Sequence, residues 1–486
     1  MSGRDPLAAL LEHAAAHPDA VAVASRAGDI RYGDFARMVR RFAAAFARHG
    51  DTPKVMVHLD QRAEAYAAMF GAMMAGGVYA PVNVAAPETR RTDIRDSFSP
   101  DVIVTDRPFD GNGATILALD ALGREELATP RPAHRLAYVI FTSGSTGTPK
   151  GVMIPRAALA HYLDWAIPAL AMGPDVRCTQ NPNIGFDLSV IEIYATLCGG
   201  GTLVPIAGAK DRMFPALAAR DLDVTVWVSV PSLIDFMLRA GQMTAANLGR
   251  VRRLYFCGEP LLPHHLEAIF AILPDAVVIN AYGPTEATVS CTELVLTRDT
   301  WRAHCANSVA LGDAIAGMSV ELAGGDHPDE GEVVLAGPQL ADGYWSDPER
   351  TAQAFRTAAD GRRVYHTGDW AARDGDNLYF RNRLDRQVKI LGNRLELDEV
   401  DGALRRAGAR QAITFLAHDI LVSFAETPAG LDEATLRERI GGVLPPYALP
   451  KVLRTVGALP TNSNGKVDAA TLKAQAMDIA RQKAES

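Results

Sequence analysis

The stretch Leu136-Ala137-Tyr138-Val139-Ile140-Phe141-Thr142-Ser143-Gly144-Ser145-Thr146-Gly147-Thr148-Pro149-Lys150-Gly151 decides how the rest of the chain is read. Its first seven residues are an apolar run of strand length, rich in aromatic and β-branched side chains, and the run stops at a cluster of Ser, Gly and Thr. Small residues let a backbone come close to a polyanion. The N–H groups and hydroxyls of Thr142, Ser143, Gly144, Ser145, Thr146 and Gly147 supply donors, and Lys150 supplies positive charge. Two better-known loops are excluded by their frames. A Walker A loop ends in Gly-Lys-Ser/Thr, whereas Lys150 stands between Pro149 and Gly151. A serine nucleophile elbow needs Gly-x-Ser-x-Gly, which neither Ser143 nor Ser145 has.

On both sides of this loop, strand and helix patterns alternate. Val55 to Leu59, Val224 to Val230, Leu254 to Cys257 and Val277 to Ala281 read as short apolar strands, and Ala63 to Met74 as a helix. Alternation of this kind predicts α/β layers with largely parallel sheets. After about Cys305, short glycine-flanked strands (Glu332 to Ala336, Tyr379 to Arg381, Gln387 to Leu391) predict a small β-rich region. The last hundred or so residues read as a separate α/β unit, with helices over Leu397 to Arg406 and Leu431 to Ile440 around a strand at Ile420 to Ala425. A polar helix follows from Leu472.

Composition narrows the partners. The 486 residues carry a net charge of −8, which disfavours DNA and anionic membrane as the main partner but leaves a nucleotide open, since a phosphate site needs only local donors. The five cysteines are odd in number and form no Cys-x-x-Cys pair, so they read as free thiols in a reducing compartment. The N-terminus lacks the apolar core of a signal peptide, and the Ala-rich Tyr66 to Tyr79 stretch is too short to span a bilayer, so a cytoplasmic protein without membrane insertion is expected.

The loop is one of an ordered series. Phe186-Asp187-Leu188-Ser189, Asn280-Ala281-Tyr282-Gly283-Pro284-Thr285-Glu286, Tyr365-His366-Thr367-Gly368-Asp369, Arg383-Leu384-Asp385-Arg386-Gln387-Val388-Lys389 and Asn464-Gly465-Lys466-Val467-Asp468 follow it. Together these resemble the adenylate-forming enzymes, and within them the amino-acid adenylation domains of nonribosomal peptide synthesis. The resemblance implies an α/β fold. A large N-terminal domain, residues 1–384, would consist of two α/β layers plus a small β-barrel-like region. A small mobile α+β domain, residues 385–486, would turn about a hinge at Asp385. It also implies ATP and Mg²⁺. Tyr282 would stack on adenine, Asn280 would bond its edge, and Ala281 and Gly283 would complete the nucleotide site. Asp369 would accept the ribose hydroxyls with Arg383 near by, Thr285 would meet the α-phosphate, and Glu286 would hold Mg²⁺. Lys150 and Lys466 would serve adenylation, and Gly392 would line the tunnel for a pantetheine thiol. Two departures stand out. Asn382 replaces the glycine usual before the arginine of the hinge motif, and a histidine common after the loop is missing at Pro155-Arg156.

The same resemblance places a substrate pocket at Asp187, Leu188, Ile191, Ser229, Tyr255, Cys257, Ala281, Val289 and Ser290. Asp187 would bind an ammonium group, which implies an amino acid, because a buried carboxylate without a counter-charge is costly. Around the pocket the stretches FDLSVIEIYATLCGGGTLV, WVSVPS, FCGE and YGPTEATVS are similar to the stand-alone D-alanine–carrier protein ligases, where a cysteine matching Cys257 lies beside the substrate methyl. The implied reaction is adenylation of a small, alanine-like amino acid and its transfer to the phosphopantetheine thiol of a separate carrier protein. A β-amino acid or other small amino acid, and an acyl- or aryl-CoA ligase of the same superfamily, are the alternatives. A non-catalytic nucleotide-binding protein would not be expected to keep Lys150, Glu286, Asp369, Arg383 and Lys466 together.

Overall fold

A computed structural model describes residues 4–144, 149–390, 392–428, 430–460 and 467–485. The chain forms two compact units. The larger comprises residues 1–84, 95–141 and 151–384; the smaller comprises residues 85–94, 142–150 and 385–486.

The larger unit is built on three sheets. One has seven strands, in the order Gly343–Tyr344, Lys150–Pro155, Leu136–Thr142, Val78–Pro81, Lys54–His58, Val102–Thr105, Thr115–Ala118. The pairings from Leu136–Thr142 outward through Thr115–Ala118 are parallel. A second sheet has nine strands. Its middle runs parallel through Val277–Tyr282, Arg253–Phe256, Val226–Ser229, Arg177–Gln180, Thr202–Pro205 and Val21–Ser25, with antiparallel strands closing both edges. Strand alternation divides the second sheet between two cores. Val228, Tyr255, Cys257, Ile279 and Ala281 pack into one, and Trp227, Leu254, Phe256 and Val278 into the other. Both faces are covered, as expected for near-continuous apolar strands. The expected barrel-like region is a five-stranded antiparallel sheet, Ser319–Ala323, Glu330–Ala336, Arg363–Asp374 and Phe355–Thr357, with Asn377–Arg383 on the long third strand. Its pairing does not close into a barrel.

The smaller unit carries a two-stranded ribbon, Gln387–Ile390 with Asn393–Glu396, and a three-stranded sheet in which Gln411–Ala417 and Ile420–Glu426 are antiparallel and Val452–Val456 joins in parallel. Helix Leu397–Arg406 has Asp398 and Glu399 in its first turn and Arg405 and Arg406 in its last, a charge order that suits the helix dipole. The helix expected from Leu431 begins at Glu433 instead, because Asp432 is its cap and accepts the Thr435 N–H at 2.9 Å. Among the described residues no helix is long and apolar enough to cross a membrane.

Candidate active site

The parallel strands of the nine-stranded sheet end side by side, with Val228 opposite Tyr255 and Tyr255 opposite Ile279. Cys257, Ala281 and Tyr282 therefore gather at one carboxyl edge, where α/β sheets bind ligands. Ser229, expected in the pocket with them, pairs instead with Phe256 and turns to the other core, its hydroxyl accepting from Trp227 Nε1 at 2.9 Å, because side chains alternate along the strand. Asp187 reaches the region from the neighbouring strand Arg177–Gln180, through the turn 181–186, at the start of a helical run beginning with Leu188 and continuing through Ile191.

Three hydroxyls meet among these residues. Tyr255 donates to Ser290 Oγ at 3.0 Å, Ser290 lies 3.4 Å from the Tyr162 oxygen, and the two phenols are 3.4 Å apart. All three side chains are sealed from solvent. Burial, with Tyr162 beside it, pushes the Tyr255 phenol well above its ordinary range, so it stays a neutral donor. The rings of Tyr162 and Trp165, on helix Arg156–Ala169, stack obliquely behind Tyr255. Leu188, Ile191, Ala281 and Val289 are buried in the same core, and the Cys257 thiol points at the Val289 carbonyl at 3.6 Å.

Two backbone features shape this cluster. Thr288 and Val289 both have positive φ, 57° and 70°, a strained state for a β-branched residue. Gly283 permits the resulting close approach: a Cβ there would stand 2.5 Å from Ser290 Cα.

Asp187 is held by Thr285, whose hydroxyl donates to Oδ2 at 2.6 Å. Thr285 opens the short helical turn Thr285–Ala287, and Glu286 in that turn is fully buried. Its Oε1 accepts from the Tyr344 phenol at 2.8 Å, and its carbonyl accepts from the Ala341 N–H. The same turn thus presents one side chain to Asp187 and a second carboxylate oriented by a tyrosine.

A second cluster forms where Tyr282 ends its strand. The Tyr282 phenol donates to Asp369 Oδ2 at 2.6 Å, and Arg383 Nη1 donates to Oδ1 at 2.6 Å. Asp369 and Arg383 face each other across paired strands, and the Asp369 N–H donates to Thr367 Oγ1. Burial and the adjacent Asp369 push the Tyr282 phenol well up, keeping it a donor. Asn280, two residues earlier on the strand, donates Nδ2 to the Ala310 carbonyl at 2.8 Å.

In the smaller unit, Thr142 ends its strand and Ser143 donates to the Arg394 carbonyl at 2.7 Å, with Gly144 following and Lys150 opening the next strand. Asp385, its first residue after the long segment of the larger unit, accepts the Gln387 N–H, and Gly392 takes the left-handed conformation, φ 77°. Ser145, Thr146, Gly147 and Lys466 lie outside the described residues.

Sequence reasoning missed Tyr162, Trp165 and Tyr344. They belong to no motif; an inward-facing aromatic pair at i, i+3 on one helix was the only available signal. It also missed Asp235, His264 and His265, whose ligand-type atoms converge. His265 Nδ1 accepts the Leu262 N–H at 3.0 Å, so Nε2 carries the ring proton and donates to Asp235. A protonated nitrogen is no metal ligand, and the group reads as a helix cap.

The family described as AMP-binding enzyme matches residues 10–345. A D-alanine–D-alanyl carrier protein ligase of Lactiplantibacillus plantarum is 31% identical over 466 residues, covering 88% of this chain and 91% of that protein. The solved structure of IdnL7 superposes with a TM-score of 0.73 at 29% identity, over 98% of this chain and 99% of the other. The adenylation domain AlmE of Vibrio cholerae, solved with glycyl-adenosine-5'-phosphate, shares the fold with a TM-score of 0.84 at 24% identity, over 97% of each chain.

Proposed function

The chain belongs to the AMP-binding enzyme family, and on that premise we propose that it activates a small, alanine-like amino acid with ATP and passes it to the thiol of a separate carrier protein. In the first step a substrate carboxylate oxygen attacks the α-phosphorus, the bond to the β-phosphate oxygen breaks, and pyrophosphate leaves. In the second, the pantetheine sulfur attacks the acyl carbon and AMP departs with its phosphate oxygen. Both steps depend chiefly on positioning and charge neutralisation.

The observation that carries this reading is Asp187. Its carboxylate is held by Thr285 at 2.6 Å, and its charge acts on the buried phenols of Tyr138 and Tyr162. A fixed anion close to the buried Tyr162, Tyr255 and Ser290 cluster suits the ammonium group of a small amino acid. Cys257 and the D-alanine ligase relatives favour D-alanine among such substrates.

Tyr282 and Asn280 are assigned to adenine, Asp369 and Arg383 to the ribose, and Thr142 to Gly147 with Lys150 and Thr285 to the phosphates. Glu286 fits a magnesium ion, which takes hard oxygen ligands and tolerates a single carboxylate alongside phosphates; the ion would neutralise charge on the departing pyrophosphate. Lys466 is assigned to the adenylation step alone. Asp385 is assigned as the hinge that exchanges Lys466 for the thiol tunnel beside Gly392.

The test is amino-acid-dependent exchange of pyrophosphate into ATP with glycine, L-alanine, D-alanine and β-alanine, followed by loading of a phosphopantetheinylated carrier. Exchange with an alanine-sized amino acid is expected. Preference for β-alanine would move the substrate to a β-amino acid, and CoA-thioester formation from a carboxylic acid lacking an amine would overturn the reading.

A further inference from the structure

Glu192 is fully buried and takes no part in the chemistry described so far. It lies in Ile191–Ala195, where the helix leaving Asp187 widens into a π-turn, a distortion frequent at functional sites. Its Oε1 accepts the backbone N–H of Asn181 at 2.9 Å, Oε2 makes no hydrogen bond, and no ion pair reaches it among the described residues. Burial pushes the pKa of its carboxyl well above the usual carboxylate range, against the anion-favouring contacts of the Asn181 N–H, Gln180 and Thr179.

Asn181 is a junction. Its Nδ2 donates to the Val228 carbonyl at 2.7 Å, next to Ser229, and its own carbonyl and that of Gln180 each accept from Gln61 Nε2 at 3.0 Å. The turn that begins at Asn181 ends at Asp187. The part-buried N–H at its first residue needs an acceptor, and Glu192 Oε1 is the one it finds.

We propose that Glu192 is a positioning residue for the amino-acid pocket: its carboxyl holds Asn181, and through Asn181 both the turn that delivers Asp187 and the strand end that carries Ser229. The inference rests on the assignment of Asp187 to the substrate ammonium. A glutamine offers the same acceptor without a charge, whereas a leucine leaves the Asn181 N–H orphaned.

The experiment measures pyrophosphate exchange with amino acid and ATP varied separately, in wild type, Glu192→Gln and Glu192→Leu. Glu192→Leu should raise the amino-acid KM by about tenfold or more while the ATP KM stays within about twofold, and Glu192→Gln should stay close to wild type in both. A merely structural role would lower the active fraction and leave both KM values alone. If Glu192→Leu does not fold, Asn181→Ala, which removes only the Val228 link, should show the same split. An unchanged amino-acid KM, parallel rises in both constants, or a Gln variant as impaired as Leu would overturn the inference. Absence of exchange in the wild-type protein would instead overturn the proposed function, and this inference with it.

Discussion

Asp187→Asn isolates the charge of the pocket from its shape. Asparagine keeps an oxygen where Thr285 donates, so the 2.6 Å contact survives as a neutral hydrogen bond. What is lost is the anion assigned to the substrate ammonium. A hydrogen bond to a charged group contributes roughly 1.5–3 kcal/mol, or ~10–150-fold in binding. Asp187 is half-buried, so solvent screens the contact only in part, and the middle of that range is expected. Of the residues assigned to ATP, Tyr282, Asp369 and Arg383 hold one another, and Thr285, which does bond Asp187, keeps an acceptor in asparagine. Exchange kinetics should therefore show the amino-acid KM rising by about 30-fold with the ATP KM unchanged. A thermal melt controls for folding. Equal rises in both constants, or an amino-acid KM within about twofold of wild type, would refute the placement of the ammonium at Asp187.

Three further changes probe the rest of the site. Tyr282→Phe leaves the buried Asp369 one donor short and should cost about 1.5–3 kcal/mol in denaturant stability, with a raised ATP KM; wild-type values for both would count against the Tyr282–Asp369 contact. Gly283→Ala drives a Cβ to 2.5 Å from Ser290 Cα, so a loss of about 1–3 kcal/mol is expected, and an unshifted urea midpoint would argue against the close approach. Lys466→Ala should slow adenylate formation by ~10²–10³-fold yet load a carrier from preformed aminoacyl-AMP at nearly the normal rate. Comparable slowing of both single-turnover steps would sink the two-state assignment.

The regular elements were legible wherever a local pattern sufficed. The strand Leu136–Thr142 and the helices Ala63–Met74 and Leu397–Arg406 lie where apolar runs and periodicity put them. The doubly covered α/β layers likewise follow from strands that are apolar on both faces. The family and its reaction class were legible because each motif is a contiguous run whose residue types serve one task, such as donors on small residues for phosphate. The barrel-like region was less so: short glycine-flanked strands announce antiparallel pairing but not whether the sheet closes.

Sequence by itself marked the side chains assigned to its chemistry: Asp187, the Thr285-Glu286 turn, Tyr282, Asp369 and Arg383. Only the tertiary structure decided whom they meet. Thr285 meets Asp187 across 98 residues, Tyr282 meets Asp369 across 87, Tyr344 meets Glu286 across 58, and Tyr162 meets Ser290 across 128. Glu192 looks in the sequence like one more polar helix residue, and only the packed chain makes it a buried acid set against the Asn181 N–H at the end of strand Arg177–Gln180. Backbone preference and hydrophobic period act over a few residues, so they are written locally. The partner of a buried hydroxyl or carboxyl depends on which strand ends the fold sets side by side, and that order is a property of the packed chain as a whole.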